Sequence, residues 1–416
     1  LLCAVDIGVV SDQTGSLNFE RGTKVFAQVE AMTVRRVCRF VLLTVVSLVL
    51  AGSSFAAGIE RIWLSHRSND PSQLVVNWET ERPGNSVVRF GATGREVQTV
   101  AVEENVTLHH VEIPLAQRDA TYHYTVATGQ ERSAEATLKA YPTETLRVAV
   151  VADWQAQPKL DAVARDDVHL LLTAGDNIDC LHRLCGAGVK DCTKPYSRLV
   201  ANYPELFRTT PFMPILGNHD REIRPRGSRP PAEPVYDIEA TSFRKFFELP
   251  DDEWKWHLDI PEFAVRLVAL DLNHISDRGT TWQTCHPFDK SSAQYQWYDR
   301  MTGTGKAGFL VTLYNERNAN MRAQEGGAWH QMFRRGTIAI TGFGYYAERA
   351  EVDGFPYYNT SLGGKGDRYP DPQSKFFESA DNYILLTFTR SPRTMTVALK
   401  GLDGTTLDQK VYRPAP

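Results

Sequence analysis

The stretch that decides the fold runs from residue 146 to 220. It reads LRVAVVADWQ (146–155), then VHLLLTAGDN (168–177), then, after an insertion, PFMPILGNHD (211–220). Residues 146–151 and 168–173 are short apolar runs rich in Val and Leu, the composition of strands buried on both faces. A polar, helix-compatible segment separates them, so the spacing predicts a βαβ unit. Each strand runs into acidic or amide residues: Asp153, then Asp176–Asn177, then Asn218–His219–Asp220. In an open α/β sheet the loops at the carboxyl ends of the strands gather in one crevice, where ligands bind. Carboxylate, amide and imidazole together are the ligand types of a hydrolytic metal site. After a single strand, Asp or Asn ordinarily only makes a turn. Three such loops in series predict a function.

A chain of 416 residues is long for one domain and predicts two. The composition is that of a soluble globular protein, and the formal charge of -4 argues against a nucleic-acid binder driven by phosphate neutralisation. Residue 1 is Leu, and Met32 opens a secretory pattern: Arg35, Arg36 and Arg39, an apolar run over 40–50, then small residues to Ala57. This reads as an upstream extension over 1–31 and a signal peptide over 32–56, cleaved after Ala56, with export to the periplasm or the medium. The apolar run is too short for a comfortable membrane span. Ser53 stands where a lipoprotein signal would place Cys. Export suits the cysteines. Outside the leader are Cys180, Cys185, Cys192 and Cys285, an even number that predicts two disulfides of undetermined pairing. The chain has no C-x-x-C pair to favour zinc instead.

Residues 58–143 read as all-β, with short alternating runs at 59–65, 72–81, 85–92, 96–103, 107–115, 121–128 and 134–141. Seven such strands predict a β-sandwich of fibronectin type III kind. Trp78 reads as core, and His109 and His110 as pointing to opposite faces of one strand. Residues 141–145 read as a linker, and 146–416 as a second domain. Residues 179–203 form a cysteine-bearing insertion. Residues 221–235 read as an irregular loop directly after the third acidic block, so it overhangs the crevice; guanidinium forks suit phosphate oxygens, which makes Arg224 and Arg226 candidate substrate contacts. Further on, a hairpin is expected over 254–271, helices over 291–301 and 319–334, buried strands at 308–313 and 337–341, and antiparallel strands from 382 onward. Asp403-Gly404 marks a hairpin turn.

Asp153 in D-x-x, G-D-N at 175–177 and G-N-H-D at 217–220 resemble, in order, the first three blocks of the calcineurin-like metallophosphoesterases, and of the purple acid phosphatases in particular. G-N-H-D is the most specific. The purple acid phosphatases also place a sandwich before the catalytic domain. The resemblance implies an α+β chain: an N-terminal fibronectin type III-like β-sandwich, then a metallophosphoesterase α/β sandwich of two mixed sheets flanked by helices. It implies Asp153 and Asp176 as metal ligands, Asp176 bridging two ions, and Asn218 as ligand to the second. His219 would be the outer-sphere proton donor, oriented by Asp220. The implied reaction is hydrolysis of a phosphomonoester or diester by metal-activated hydroxide.

The later blocks depart from the pattern. V-x-x-H and G-H-x-H become Val311-Thr312-Leu313-Tyr314 and Gly342-Phe343-Gly344-Tyr345, so Tyr314, Phe343 and Tyr345 stand at the histidine positions. The tyrosine of G-D-x-x-Y is Asp179. Asp179 and Tyr345 are substitute ligands to consider, as are Glu316 and His274. The surviving set is almost all oxygen, which suits manganese, magnesium, calcium or iron better than zinc, and one tightly held ion better than two. The expected partner is a phosphorylated small molecule or an anionic ligand. The alternatives are a catalytically degenerate protein that binds such a ligand, and a secreted adhesion or scaffold protein.

Overall fold

The computed structural model describes residues 59–229, 231–303, 308–363, 366 and 368–414. The upstream extension and the signal peptide lie outside the described residues. Among the described residues no helix is long and apolar enough to cross a membrane.

The first region is built from β1 (Ile59–Ser65), β2 (Gln73–Ala92), β3 (Gln98–Pro114), β4 (Thr121–Thr128), β5 (Glu131–Arg132) and β6 (Ala136–Lys139). Two pairs of the expected strands run together, as β2 and as β3, because the chain bends at Pro83-Gly84 without breaking the ladder. The β2–β3 register shifts there, between Glu79 and Ser86. The first half of β2 pairs with β1 and with the end of β3; its second half pairs with the start of β3 and with β4, which pairs with β6. All six strands join in one hydrogen-bonded network, the β-rich region that the short alternating runs predicted. Its core holds Leu74, Trp78, Val88, Tyr124 and Val126. Trp78 Nε1 donates to Thr128 Oγ1 at 3.0 Å, and the His109 ring stacks on the indole at 4.6 Å. His110 faces the other way, onto Asn77 Oδ1 at 2.7 Å.

That outer face is covered by the second region. Trp63 stacks on Phe246 at 4.1 Å, Ser65 Oγ donates to the Phe247 carbonyl, and Tyr124 Oη donates to the Arg208 carbonyl. The expected linker takes part in the seam, since Tyr141 is buried and its hydroxyl meets His66 Nε2 at 3.0 Å.

The second region contains β7 (Thr145–Val151), β8 (Leu170–Thr173), β9 (Phe212–Met213), β10 (Trp256–Ile260), β11 (Val265–Ala269), β12 (Phe309–Tyr314), β13 (Ile338–Thr341), β14 (Ala347–Val352), β15 (Phe355–Asn359), β16 (Ser374–Glu378), β17 (Asn382–Thr389), β18 (Thr394–Gly401) and β19 (Thr406–Tyr412). They form two mixed sheets, ordered β19-β18-β17-β7-β8-β9 and β10-β11-β12-β13-β15-β14-β16. The parallel ladders are β7-β8-β9 and β11-β12-β13-β15. Val148, Val150, Leu267, Val311 and Ile340 belong to the apolar layer between the sheets. A second layer on the outer face of the larger sheet gathers Tyr298, Trp329 and Phe333 from the helices Ala293–Gly303 and Asn318–Phe333. The latter helix breaks at Gln324–Gly327, where the backbone leaves helical geometry. Strands β14 to β16 have no counterpart in the sequence reading, because buried Glu348 and Arg349 interrupt the apolar pattern of β14.

The expectation of two disulfides is corrected to one. Cys185 and Cys192 are bonded, with Cα atoms 5.8 Å apart, while Cys180 and Cys285 are buried free thiols. Cys285 packs in the outer layer with Phe288 and Trp297, whereas Cys180 follows the G-D-N loop. Cys180 is not part of that layer.

Candidate active site

Parallel strands β7 and β8 end side by side, and hydrogen bonds lock their loops together. Asp153 N–H donates to the Gly175 carbonyl at 3.2 Å, and Trp154 N–H to the Asp176 carbonyl at 2.7 Å. Asp153 and Asp176 both have left-handed backbones, φ 52° and 56°, a conformation that costs about 1–3 kcal/mol and persists only where surroundings impose it. The third loop arrives against them at Gly217. A Cβ there would lie 2.0 Å from Asp176 Oδ1, so only glycine allows the approach. His219 N–H then donates to Asp176 Oδ1 at 3.1 Å.

Two carboxylates therefore face one another in a buried place. Burial, and next the Asp176 charge, push the Asp153 carboxyl well above the usual range. Its Oδ2 is buried with no hydrogen-bond partner. Asp176 Oδ2 receives only a 3.3 Å bond from Gln155 Nε2. For the His219 imidazole burial works against protonation, yet Asp176, the Asp179 carbonyl and Glu222 together raise its pKa. Nδ1 meets the Asp179 carbonyl, so Nδ1 carries a proton and Nε2 is the nitrogen that can serve a substrate.

Asp220 does not orient that ring. Its Oδ2 accepts from Gly217 N at 2.9 Å and from Asn177 Nδ2 at 3.0 Å, and Tyr196 Oη approaches Oδ1 at 3.3 Å. Burial, then Asp176, raise its pKa to about 7. The catalytic expectation for Asp220 is corrected: it holds the G-N-H-D loop, and the Asp179 carbonyl positions the imidazole. The Asp179 carboxylate pairs with Arg183, half exposed, and does not join Asp153 and Asp176.

The larger sheet supplies less than the sequence suggested. Along β12, Val311 and Leu313 face the inner layer, and Leu310 and Tyr314 the outer one. Tyr314 Oη donates to Asn318 Oδ1 at 2.6 Å and its ring stacks on Phe333 at 5.4 Å. Tyr314 is thus a packing residue, and its neighbour Asn315 is the one that reaches the strand ends. Asn315 Nδ2 donates to the Ala174 carbonyl at 2.9 Å and the Gly342 carbonyl at 2.6 Å, stapling the two sheets together. Phe343 is half-buried and has no donor atom; its N–H is held by Asn359 Oδ1 at 3.0 Å. Tyr345 (φ 46°) lays its ring against Gly363, where a Cβ would be 1.9 Å from Cδ1. Glu316 is buried, its carboxylate taken by the backbone N–H groups of Ile275 and Arg317.

Arg224 pairs with Glu233, and Arg226 with Asp277 at 2.6 Å. His274 meets Arg226 across 3.1 Å; burial first, then Arg226, lower its pKa. Sequence reasoning missed Ser361, whose side chain lies against Asp153, and the ion pair of Arg221 with Asp271, fully buried and bidentate at 2.8 and 2.9 Å. Arg221 directly follows the G-N-H-D block, which was the one available signal.

Among the described residues no three His, Cys, Asp or Glu side chains converge as a metal site. The donors that do meet are two carboxylates, with Asn218 in the loop that Gly217 and the His219 N–H bring against Asp176. The orphaned Asp153 Oδ2 and the uncompensated pair of like charges fit one oxygen-bound cation. They do not fit a second: of its imidazole positions, Tyr314 is packed in the outer layer, leaving the Asn315 staple at the strand ends, and Phe343 is a hydrocarbon ring.

Two mixed sheets stacked face to face, with acidic loops at the ends of their parallel strands, define a metallophosphoesterase fold. Residues 146–313 match the calcineurin-like phosphoesterase family. The structure of PhoD superimposes with a TM-score of 0.61 at 12% identity, over 87% of this chain and 92% of that one. GAP50 of Plasmodium, described as the anchor in the inner membrane complex, gives 0.41 at 13% identity over 66% and 90%. The fn3 domain of human contactin 1 gives 0.16 at 15% identity over 20% and 77%. No curated protein matches the chain.

Proposed function

We propose that the chain is an exported phosphoester hydrolase of purple acid phosphatase-like type, working with one cation held by oxygen donors. The observation that carries this is the unpartnered, buried Asp153 Oδ2 facing Asp176, with Asn218 and His219 beside them. Asp153, Asp176 and the Asn218 amide would hold the ion. A bound cation supplies Lewis acidity to a phosphoryl oxygen and lowers the pKa of an attacking water. The protein's own groups do the rest. His219, raised in pKa and fixed through Nδ1, presents Nε2 to protonate the leaving oxygen. Gln155 Nε2 and the His219 N–H steady the Asp176 carboxylate. Ser361 and the 361–363 loop close over Asp153, with Leu362 N–H on the Ala152 carbonyl at 2.8 Å.

The test is metal analysis of the mature protein together with an aryl-phosphate assay in manganese, magnesium, calcium and iron. One ion per chain and turnover that disappears in Asp176→Ala are expected. No turnover with any of the four ions would sink the hydrolase. The dismantled second half-site favours a second reading, a phosphate-binding protein without turnover, which phosphate affinity without hydrolysis would select.

A further inference from the structure

Three groups on the Asn218 side of the crevice have no part in the proposed cation site: Tyr236, His274 and Arg226. Tyr236 is buried and its hydroxyl has no hydrogen-bond partner, an expensive state unless something supplies one. It lies against the Asn218 side chain without a bond of good geometry, and Asp176 and Arg226 act on it. Its backbone is pinned to Glu222 by an isolated bridge, so the hydroxyl is held in place.

His274 sits at φ 42°, in the loop that follows β11. Arg226 Nη1 lies 3.1 Å from its Nδ1. A guanidinium has no lone pair to offer, so Nδ1 accepts and the imidazole proton is on Nε2. The next residue, Ile275, donates its N–H to Glu316 Oε2 at 3.0 Å, and Glu316 follows Asn315, whose amide is bonded to the Ala174 carbonyl beside the G-D-N loop, so the ring sits at the crevice. Arg226 is itself fixed, by Asp277 at 2.6 Å and by the Trp282 ring 4.9 Å below it; Trp282 Nε1 donates to the Arg226 carbonyl at 2.9 Å.

A phenol, an imidazole Nε2–H and a preorganised guanidinium are all donors, and beside a carboxylate pair they complement the oxygens of an anion. We propose that Tyr236 Oη, His274 Nε2 and Arg226 form the subsite that grips the phosphate oxygens of the substrate. This rests on the phosphoester reading above and names the residues that bind, as distinct from those that hold the ion. It also assigns His274 to substrate in place of metal.

The experiment is calorimetric titration of the full chain with manganese alone, and with inorganic phosphate in saturating manganese. Tyr236→Phe keeps the ring and removes the hydroxyl. His274→Asn keeps a residue that tolerates the left-handed backbone and removes Nε2. Each is expected to weaken phosphate about ten-fold, with manganese affinity unchanged. Undiminished phosphate affinity in both variants overturns the subsite. Loss of manganese along with phosphate overturns it in favour of metal ligation. Should His274→Asn fail to fold, Tyr236→Phe decides alone. A parent protein that takes manganese but no phosphate defeats this proposal and the phosphoester reading together. Weakened phosphate binding in a parent without turnover leaves the subsite standing and removes only the hydrolase.

Discussion

The two sheets bring opposite kinds of strand end to the crevice. On the smaller sheet, Asp153 and Asp176 sit in left-handed backbones with a carboxylate oxygen unpartnered and like charges adjacent. On the larger sheet, Tyr314 and Asn315 are fully bonded and packed, and Phe343 has no polar side-chain atom. The difference teaches where the chain keeps strain. A folded chain tolerates strain and uncompensated charge where something is gained from them, and it relaxes such features elsewhere.

The largest expected effect breaks the first side of that comparison. Asp176→Ala should lower phosphoester turnover by about three orders of magnitude or more, as loss of a core catalytic electrostatic group does. In ion-free protein Asp153→Asn should raise the melting temperature, since it removes a carboxyl whose ionisation burial and Asp176 oppose. A fall in melting temperature would show that the pair is not strained.

Breaking the second side should cost stability alone. Tyr314→Ala removes a fully buried ring from the outer layer and should destabilise by about 3–5 kcal/mol in denaturant titrations. Ion stoichiometry, read by metal analysis of the surviving folded fraction, should not change. If ions are lost in proportion to nothing but this side chain, Tyr314 faces the crevice after all.

Acidity separates the buried histidines of the first region from the site. Burial lowers His66 and His109 to about 4 and His110 to about 3. A depressed folded pKa means that the unfolded chain takes up protons first. Their contribution is complete above the unfolded value near 6.5 and is lost as pH falls toward 4. For fully buried His66 the loss is on the order of 3 kcal/mol. Asp153 and Asp220 shift the other way, so the informative quantity is the difference between parent and His66→Gln across this range. A parent whose stability falls no faster than the variant's between pH 6.5 and 4 would falsify the assignment.

The smallest effect sharpens the comparison. Replacing both residues that now stand at the second half-site, Asn315→His with Phe343→His, should add a second and weaker ion at a cost of about 1–2 kcal/mol for the lost staple. Tyr314→His should add none, because that side chain enters the outer layer.

What the sequence by itself determined is the order of elements and the chemistry of three loops. Strands 146–151 and 168–173, the sandwich runs and the C-terminal meander are carried by local periodicity, and Asp153, Asp176 and G-N-H-D by residues adjacent in the chain. Only the tertiary structure decided which side chains meet. Residues 309–314 are apolar on both faces, so no alternation shows which of positions 314 and 315 turns inward. Asp179 takes the ring-orienting role expected of Asp220 because loop closure, a contact across 40 residues, selects a carbonyl over a carboxylate for His219, and Asp220 holds the loop instead. The free thiols, the buried Arg221–Asp271 pair and the unpartnered Tyr236 likewise depend on packing between layers. Periodicity is a property of neighbours along the chain; satisfaction of a buried group is a property of neighbours in space.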